Sequence, residues 1–67
     1  MISYERLWKT MREKGISQYK LIHYYNFSPG QLTRLRRNNY VSTHTLEILC
    51  YLLNCEIQDI VEYIPDK

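Results

Sequence analysis

Three arginines, Arg34, Arg36 and Arg37, fall within four residues near the middle of the chain. A guanidinium is a planar, permanently charged fork of N–H donors that fits a phosphate or the two acceptors on guanine's major-groove edge. The same stretch opens with Pro29 and Gly30, so the arginines follow a helix start whose free N–H groups attract phosphate. Gly30 allows a close backbone approach to another surface. Tyr19 and Tyr40 flank the segment and carry hydroxyls able to donate to phosphate oxygens. This chemistry grips a polyanion and does not make or break bonds.

Other chemistries find less support. Cys50, Cys55, His23 and His44 lack the paired spacing of a structural zinc site, so no metal is expected. A disulfide is equally unexpected, with Cys50 assigned to the core and Cys55 to a turn. Glu56, Asp59 and Glu62 share one stretch without a pocket and read as a solvated face. There is no glycine-rich phosphate loop or nucleophile elbow. An enzyme, a cofactor and a small-molecule substrate are therefore not expected.

The elements that must position the arginines are helices. Tyr4, Leu7, Trp8 and Met11 lay one apolar stripe on a first helix over residues 4–14, stopped by Gly15. Ser17 caps a second helix over 18–25, with Ile16 and Leu21 placed to pack across the cap. Asn26 suits the left-handed turn that follows. Ser28 then caps a third helix over 29–37, with Pro29 at its first position, Gln31 completing a capping box, and Phe27 and Leu32 packing across the start. Val41, Ser42 and Leu46 repeat the device. The fourth helix carries Leu46, Leu49, Cys50 and Leu53 on one stripe, flanked by Ile48, Tyr51 and Leu52, with Asn54 as its cap. Ile57, Ile60, Val61 and Ile64 predict a fifth helix ended by Pro65. No strand pattern or repeat is present, and Tyr4, Tyr25 and Tyr51 are assigned to the core.

At 67 residues the chain allows a single domain, 1–67. Hydrophobic residues at 45% and charged residues at 24% predict a compact fold and exclude a disordered tail. The longest apolar run, "ILCYLL", is too short to span a membrane, which needs about 20 residues. Charges in "MISYERLWK" interrupt what would be a signal peptide's core, so a cytoplasmic location is expected. Residues 1–40 hold eight Lys/Arg against two Glu, while residues 41–67 hold one Lys against five Asp/Glu. One side of the molecule is thus suited to a polyanion.

At about 100° per residue, Leu32 and Leu35 mark the buried side of the third helix. Opposite them lie Gly30 and Arg37, flanked by Thr33 and Arg34, with Pro29 at the edge. A short basic helix behind a tight helix-turn-helix is shaped to enter a DNA groove. From "YERLWKTMREKGIS" through "LLNCEIQDIVEYIP" the chain resembles the Cro- and lambda-repressor-like (XRE-type) helix-turn-helix regulators of bacteria and their phages. The resemblance implies an all-α, compact five-helix DNA-binding domain whose second and third helices form the helix-turn-helix. It also implies that Gln18 holds a phosphate and that Pro29, Gly30, Thr33 and Arg34 face the bases. Ser28, Arg37, Asn38, Asn39 and Tyr40 would contact the backbone. Departures from the family pattern are Ile22 and Asn26, where relatives carry small residues, and Met11 and Arg36, where relatives often pair Arg with Glu. Pro29 and Gly30 also replace polar base readers.

The function implied is sequence-specific binding to a double-stranded DNA operator and transcription regulation, as a repressor. The alternative is a helix-turn-helix protein-interaction module that no longer reads bases. A homodimer through the carboxy-terminal helix is expected, because relatives bind paired half-sites about 34 Å apart.

Overall fold

The computed structural model describes residues 1–66; Lys67, the last residue of the expected domain, lies outside them. Four α-helices follow a short strand, β1 (Ile2–Ser3): α1 (Glu5–Lys14), α2 (Gln18–His23), α3 (Pro29–Arg36) and α4 (Thr43–Leu53). Serine hydroxyls begin three of them. Ser17 accepts from Lys20 N–H at 3.1 Å, Ser28 from Gln31 N–H at 3.4 Å and Ser42 from Thr45 N–H at 3.2 Å. Each hydroxyl satisfies an amide that the helix itself leaves unpaired. Gln31 does not close the reciprocal half of a capping box. Its Oε1 instead accepts from Thr45 Oγ1 of α4 at 3.4 Å, which ties the start of α3 to α4.

Left-handed residues end the turns. Gly15 (φ 70°), Asn38 (φ 55°) and Asn54 (φ 50°) follow α1, α3 and α4, and Asn26 (φ 58°) reverses the chain between α2 and α3. Glycine adopts this region freely and asparagine tolerates it. The helix ends are closed by backward bonds, among them Ile16 N–H to Met11 O at 2.9 Å and Asn39 N–H to Arg34 O at 2.9 Å. Helix α2 stops at His23, short of residue 25, because Tyr24 and Tyr25 both donate back to Lys20 O as the turn begins.

The core joins Tyr4, Leu7, Met11, Leu21, Phe27, Leu32, Leu35, Leu49, Leu53 and Ile60. Tyr4 is buried as expected but precedes the helix. Its N–H donates to Asn38 Oδ1 at 3.0 Å and its hydroxyl to Asn39 O at 2.9 Å, so it links α1 to the loop after α3. Tyr25 and Tyr51 do not join the core. They are 43% and 84% exposed: Tyr25 lies in the turn after α2, and Tyr51 is left outside because α4 already fills its buried side with Thr45, Leu49 and Leu53.

The fifth helix does not form. Ile57–Asp59 make one 3₁₀ turn, closed by Asp59 Oδ2 accepting from Glu56 N–H at 2.9 Å. Glu62–Tyr63 then form a second strand, β2, antiparallel to β1, with Ile2 opposite Tyr63 and Ser3 opposite Glu62. Two physical facts override the helical spacing. Ile57, Ile60, Val61 and Ile64 are β-branched and favour extended backbone, and the amino-terminal strand offers backbone groups that need partners. Met1 and Ile64 extend the pairing beyond the strands, with Ile64 N–H donating to Met1 O at 2.8 Å. Of the apolar set only Ile60 is fully buried.

Helix α1 fastens this segment. Thr10 Oγ1 donates to Asp59 O at 2.8 Å, Arg6 donates to Gln58 O at 3.1 Å, and Arg6 pairs with Glu62 at 3.1 Å. Of the three acidic residues expected on a solvated face, Glu62 is thereby paired through its carboxylate and Asp59 is held through its backbone carbonyl. Among the described residues no helix is long and apolar enough to cross a membrane.

Candidate nucleic-acid interface

Leu32 and Leu35 are fully buried and hold α3 against the core. The opposite side presents Pro29, Gly30, Arg34 and Arg37 to solvent, with Thr33 half-buried beside them. Gly30 has open space around it: an added Cβ meets only Ser28 Oγ, at 3.7 Å. Nothing in the fold itself requires a glycine there. Ser28 has its hydroxyl engaged in the cap.

The remaining candidate residues divide between the two flanks of α3. On the α2 side, Arg36 Nη1 donates to Gln18 Oε1 at 2.6 Å and Arg36 Nη2 to Thr33 Oγ1 at 3.1 Å. Thr33 Oγ1 in turn donates to Pro29 O at 3.1 Å. With its carbonyl taken by Arg36, Gln18 keeps its amide N–H group free, the polarity a phosphate needs. On the other flank, Arg34, Arg37, Asn38, Asn39 and Tyr40 line one open concavity with Met1 and Ile2. Arg34 Nε donates to Tyr40 O at 2.9 Å, which braces the guanidinium and leaves its two terminal nitrogens unspent.

Asn38 is placed differently from its neighbours. Its side-chain carbonyl serves Tyr4, so it builds the loop that carries Arg37 and Asn39. Asn39 and Tyr40 are exposed, Tyr40 by 78%. Burial raises the pKa of the Tyr4 hydroxyl above its ordinary 10.0, although nearby Arg34 works in the opposite direction.

Sequence reading counted Arg36 among the three arginines and noted that it stands where relatives carry Glu, but gave it no contact of its own. Its partner on α1, Met11, is buried, and the arginine turns to α2. No local signal marks this, since Gln18 and Arg36 are 18 residues apart. Two aromatic contacts on α2 were also missed. Tyr19 stacks on His23 at 4.2 Å between ring centroids, and Lys20 lies 5.8 Å from the centre of the Tyr24 ring. Spacings of four residues on a helix put these side chains on one face.

Among the described residues no group of three or more His, Cys, Asp or Glu is arranged to hold a metal. Cys50 and Cys55 are free and half-buried. Burial, reinforced by Cys50 and Asp59, pushes the Cys55 thiol from 9.0 up to about 11, and burial raises Cys50 as well.

The family model for the Cro/C1-type helix-turn-helix DNA-binding domain matches residues 6–66. The solved structure of the transcriptional regulator VanUg is similar to the chain, with 31% sequence identity and a TM-score of 0.86 over 97% of this chain and 87% of that one. No curated protein matches. With its capped α2–turn–α3 unit and a family match that runs through nearly every element, the chain belongs to the Cro/C1-type helix-turn-helix DNA-binding family.

Proposed function

We propose that the chain is a sequence-specific double-stranded DNA-binding transcription regulator that represses by occupying a promoter and excluding polymerase. The observation that carries this reading is the outward face of α3, where Gly30, Thr33, Arg34 and Arg37 stand free of large apolar side chains while the leucines behind them are buried. In this reading α3 lies in the major groove. Arg34 meets guanine through its two terminal nitrogens, and Gln18, Arg37, Asn39 and Tyr40 fix the register on phosphates, with Ser28 and Asn38 shaping the ends of the helix. Residues 1–67 act as one DNA-binding unit, on the cytoplasmic DNA of a bacterium or phage.

The active species is a homodimer, because one short recognition helix reads too few bases for tight specific binding. Its interface is the carboxy-terminal segment, where Ile57, Tyr63 and Ile64 stay 47%, 67% and 40% exposed. Selection of bound sequences from a random duplex pool tests the reading. Enrichment of a palindrome supports both specificity and dimer. A second reading, a protein-interaction module, is favoured by Pro29 and Gly30, which bring no side-chain hydrogen bond to a base. A flat dependence of duplex binding on salt would support it, since phosphate neutralisation gives a steep one.

A further inference from the structure

Gln18, Thr33 and Arg36 form one hydrogen-bonded unit across the helix-turn-helix, and the direction of each bond limits what each side chain can offer DNA. A threonine hydroxyl has one proton and two lone pairs. The Thr33 proton is committed to Pro29 O at 3.1 Å, and one lone pair receives Arg36 Nη2 at 3.1 Å. Thr33 therefore has no donor left for the acceptors of guanine, adenine or thymine. It does have a methyl group, and the apolar feature of the major groove is the C5 methyl of thymine. Arg36, though exposed, has both terminal nitrogens engaged within the protein, the other donating to Gln18 Oε1 at 2.6 Å.

We propose that Arg36 is a positioning residue that makes Thr33 a reader of the thymine methyl and turns the amide N–H group of Gln18 toward a phosphate. This inference rests on the DNA-binding reading above and adds to it the base feature recognised. A single contact of this kind discriminates modestly, by roughly the worth of one buried methyl group, about fourfold in affinity. The remaining lone pair of Thr33 offers a different readout, of an amino group on adenine or cytosine, which would be blind to that methyl.

The test starts from the duplex that the wild type selects out of a random pool. Each thymine is replaced in turn by deoxyuridine, which removes the methyl and nothing else. Wild type should lose about fourfold at one position in each half-site. Thr33→Ser, which keeps the hydroxyl and lacks the methyl, should bind the thymine and uracil duplexes equally. Arg36→Met should weaken binding in the wild-type background, weaken it less in a Gln18→Ala background, where only the Thr33 contact remains to be lost, and leave the salt slope unchanged. These substitutions leave the buried leucines of α3 untouched.

A wild type that binds no duplex removes the DNA-binding reading itself. If it binds a selected duplex with no deoxyuridine-sensitive position, or if the sensitivity survives in Thr33→Ser, the DNA reading stands and the methyl readout is overturned. A salt slope that falls by about one in Arg36→Met would make Arg36 a phosphate contact and overturn its positioning role.

Discussion

Arg34 differs from the other arginines of α3 in being braced by a backbone carbonyl while its fork stays open. Holding Nε on Tyr40 O reduces the rotamer freedom to be lost on binding, so in the proposed complex the terminal nitrogens would reach a base edge at smaller entropic cost. Arg34→Ala should cost about 1 to 3 kcal/mol on the preferred duplex and relax preference at one base position. Repeating the pool selection with the variant checks both. Gly30→Ala separates fold from recognition. The added methyl meets only Ser28 Oγ at ordinary contact distance, so the fold should gain up to about 1 kcal/mol in urea denaturation. Duplex affinity should fall in the same protein, because that methyl would stand between the helix start and the groove. A variant more stable and equally tight would show that Gly30 has no part in close approach.

Among the elements, the loop after α3 has two duties. Asn38 occupies the left-handed region at φ 55° and caps Tyr4 N–H, so it joins the recognition helix to the start of α1. Asn38→Ala should destabilise the protein by about 1 to 2 kcal/mol, through strain and a lost cap. Asn38→Gly relieves the strain alone and should recover part of that loss, as chemical denaturation of the pair would reveal. The loop after α4 gives a pH dependence. Burial raises the Cys55 thiol to about 11, so the folded state holds this proton more tightly than the unfolded chain does. The resulting stability is fully present below about pH 9 and is lost as pH rises toward about 11. Urea midpoints measured across that range should fall, and Cys55→Ala should flatten the fall.

For the molecule as a whole, the carboxy-terminal segment closes the monomer core through Ile60 and leaves Ile57, Tyr63 and Ile64 outside. Sedimentation of wild type and Ile64→Glu should show a dimer lost in the variant. Val61 is half-buried against the core, so a charge there would act on the fold as well as on any interface. The basic amino-terminal part, with eight Lys/Arg against two Glu over residues 1–40, should set the salt response of the proposed DNA binding. Arg37→Ala should weaken binding to all duplexes alike and reduce the salt slope by about one per protomer, measured by titration at several ionic strengths.

The helix-turn-helix was legible in the sequence because its determinants are local. Ser17, Ser28 and Ser42 cap the amides three residues on, Pro29 tolerates a position without a bonded N–H, and Gly15, Asn26 and Asn54 accept left-handed backbone. The buried side of α3 followed from Leu32 and Leu35 for the same reason. Segment 57–64 was misread because its apolar spacing fits a helix, while its conformation depends on β1, some 60 residues away in the chain. Tyr25 and Tyr51 were misplaced since an apolar stripe does not state how wide a face its neighbours cover. The hydrogen-bond directions at Gln18, Thr33 and Arg36 were likewise decided only in three dimensions. Sequence supplied the donors and acceptors, but which of them remain free for DNA depends on partners that tertiary packing brings together.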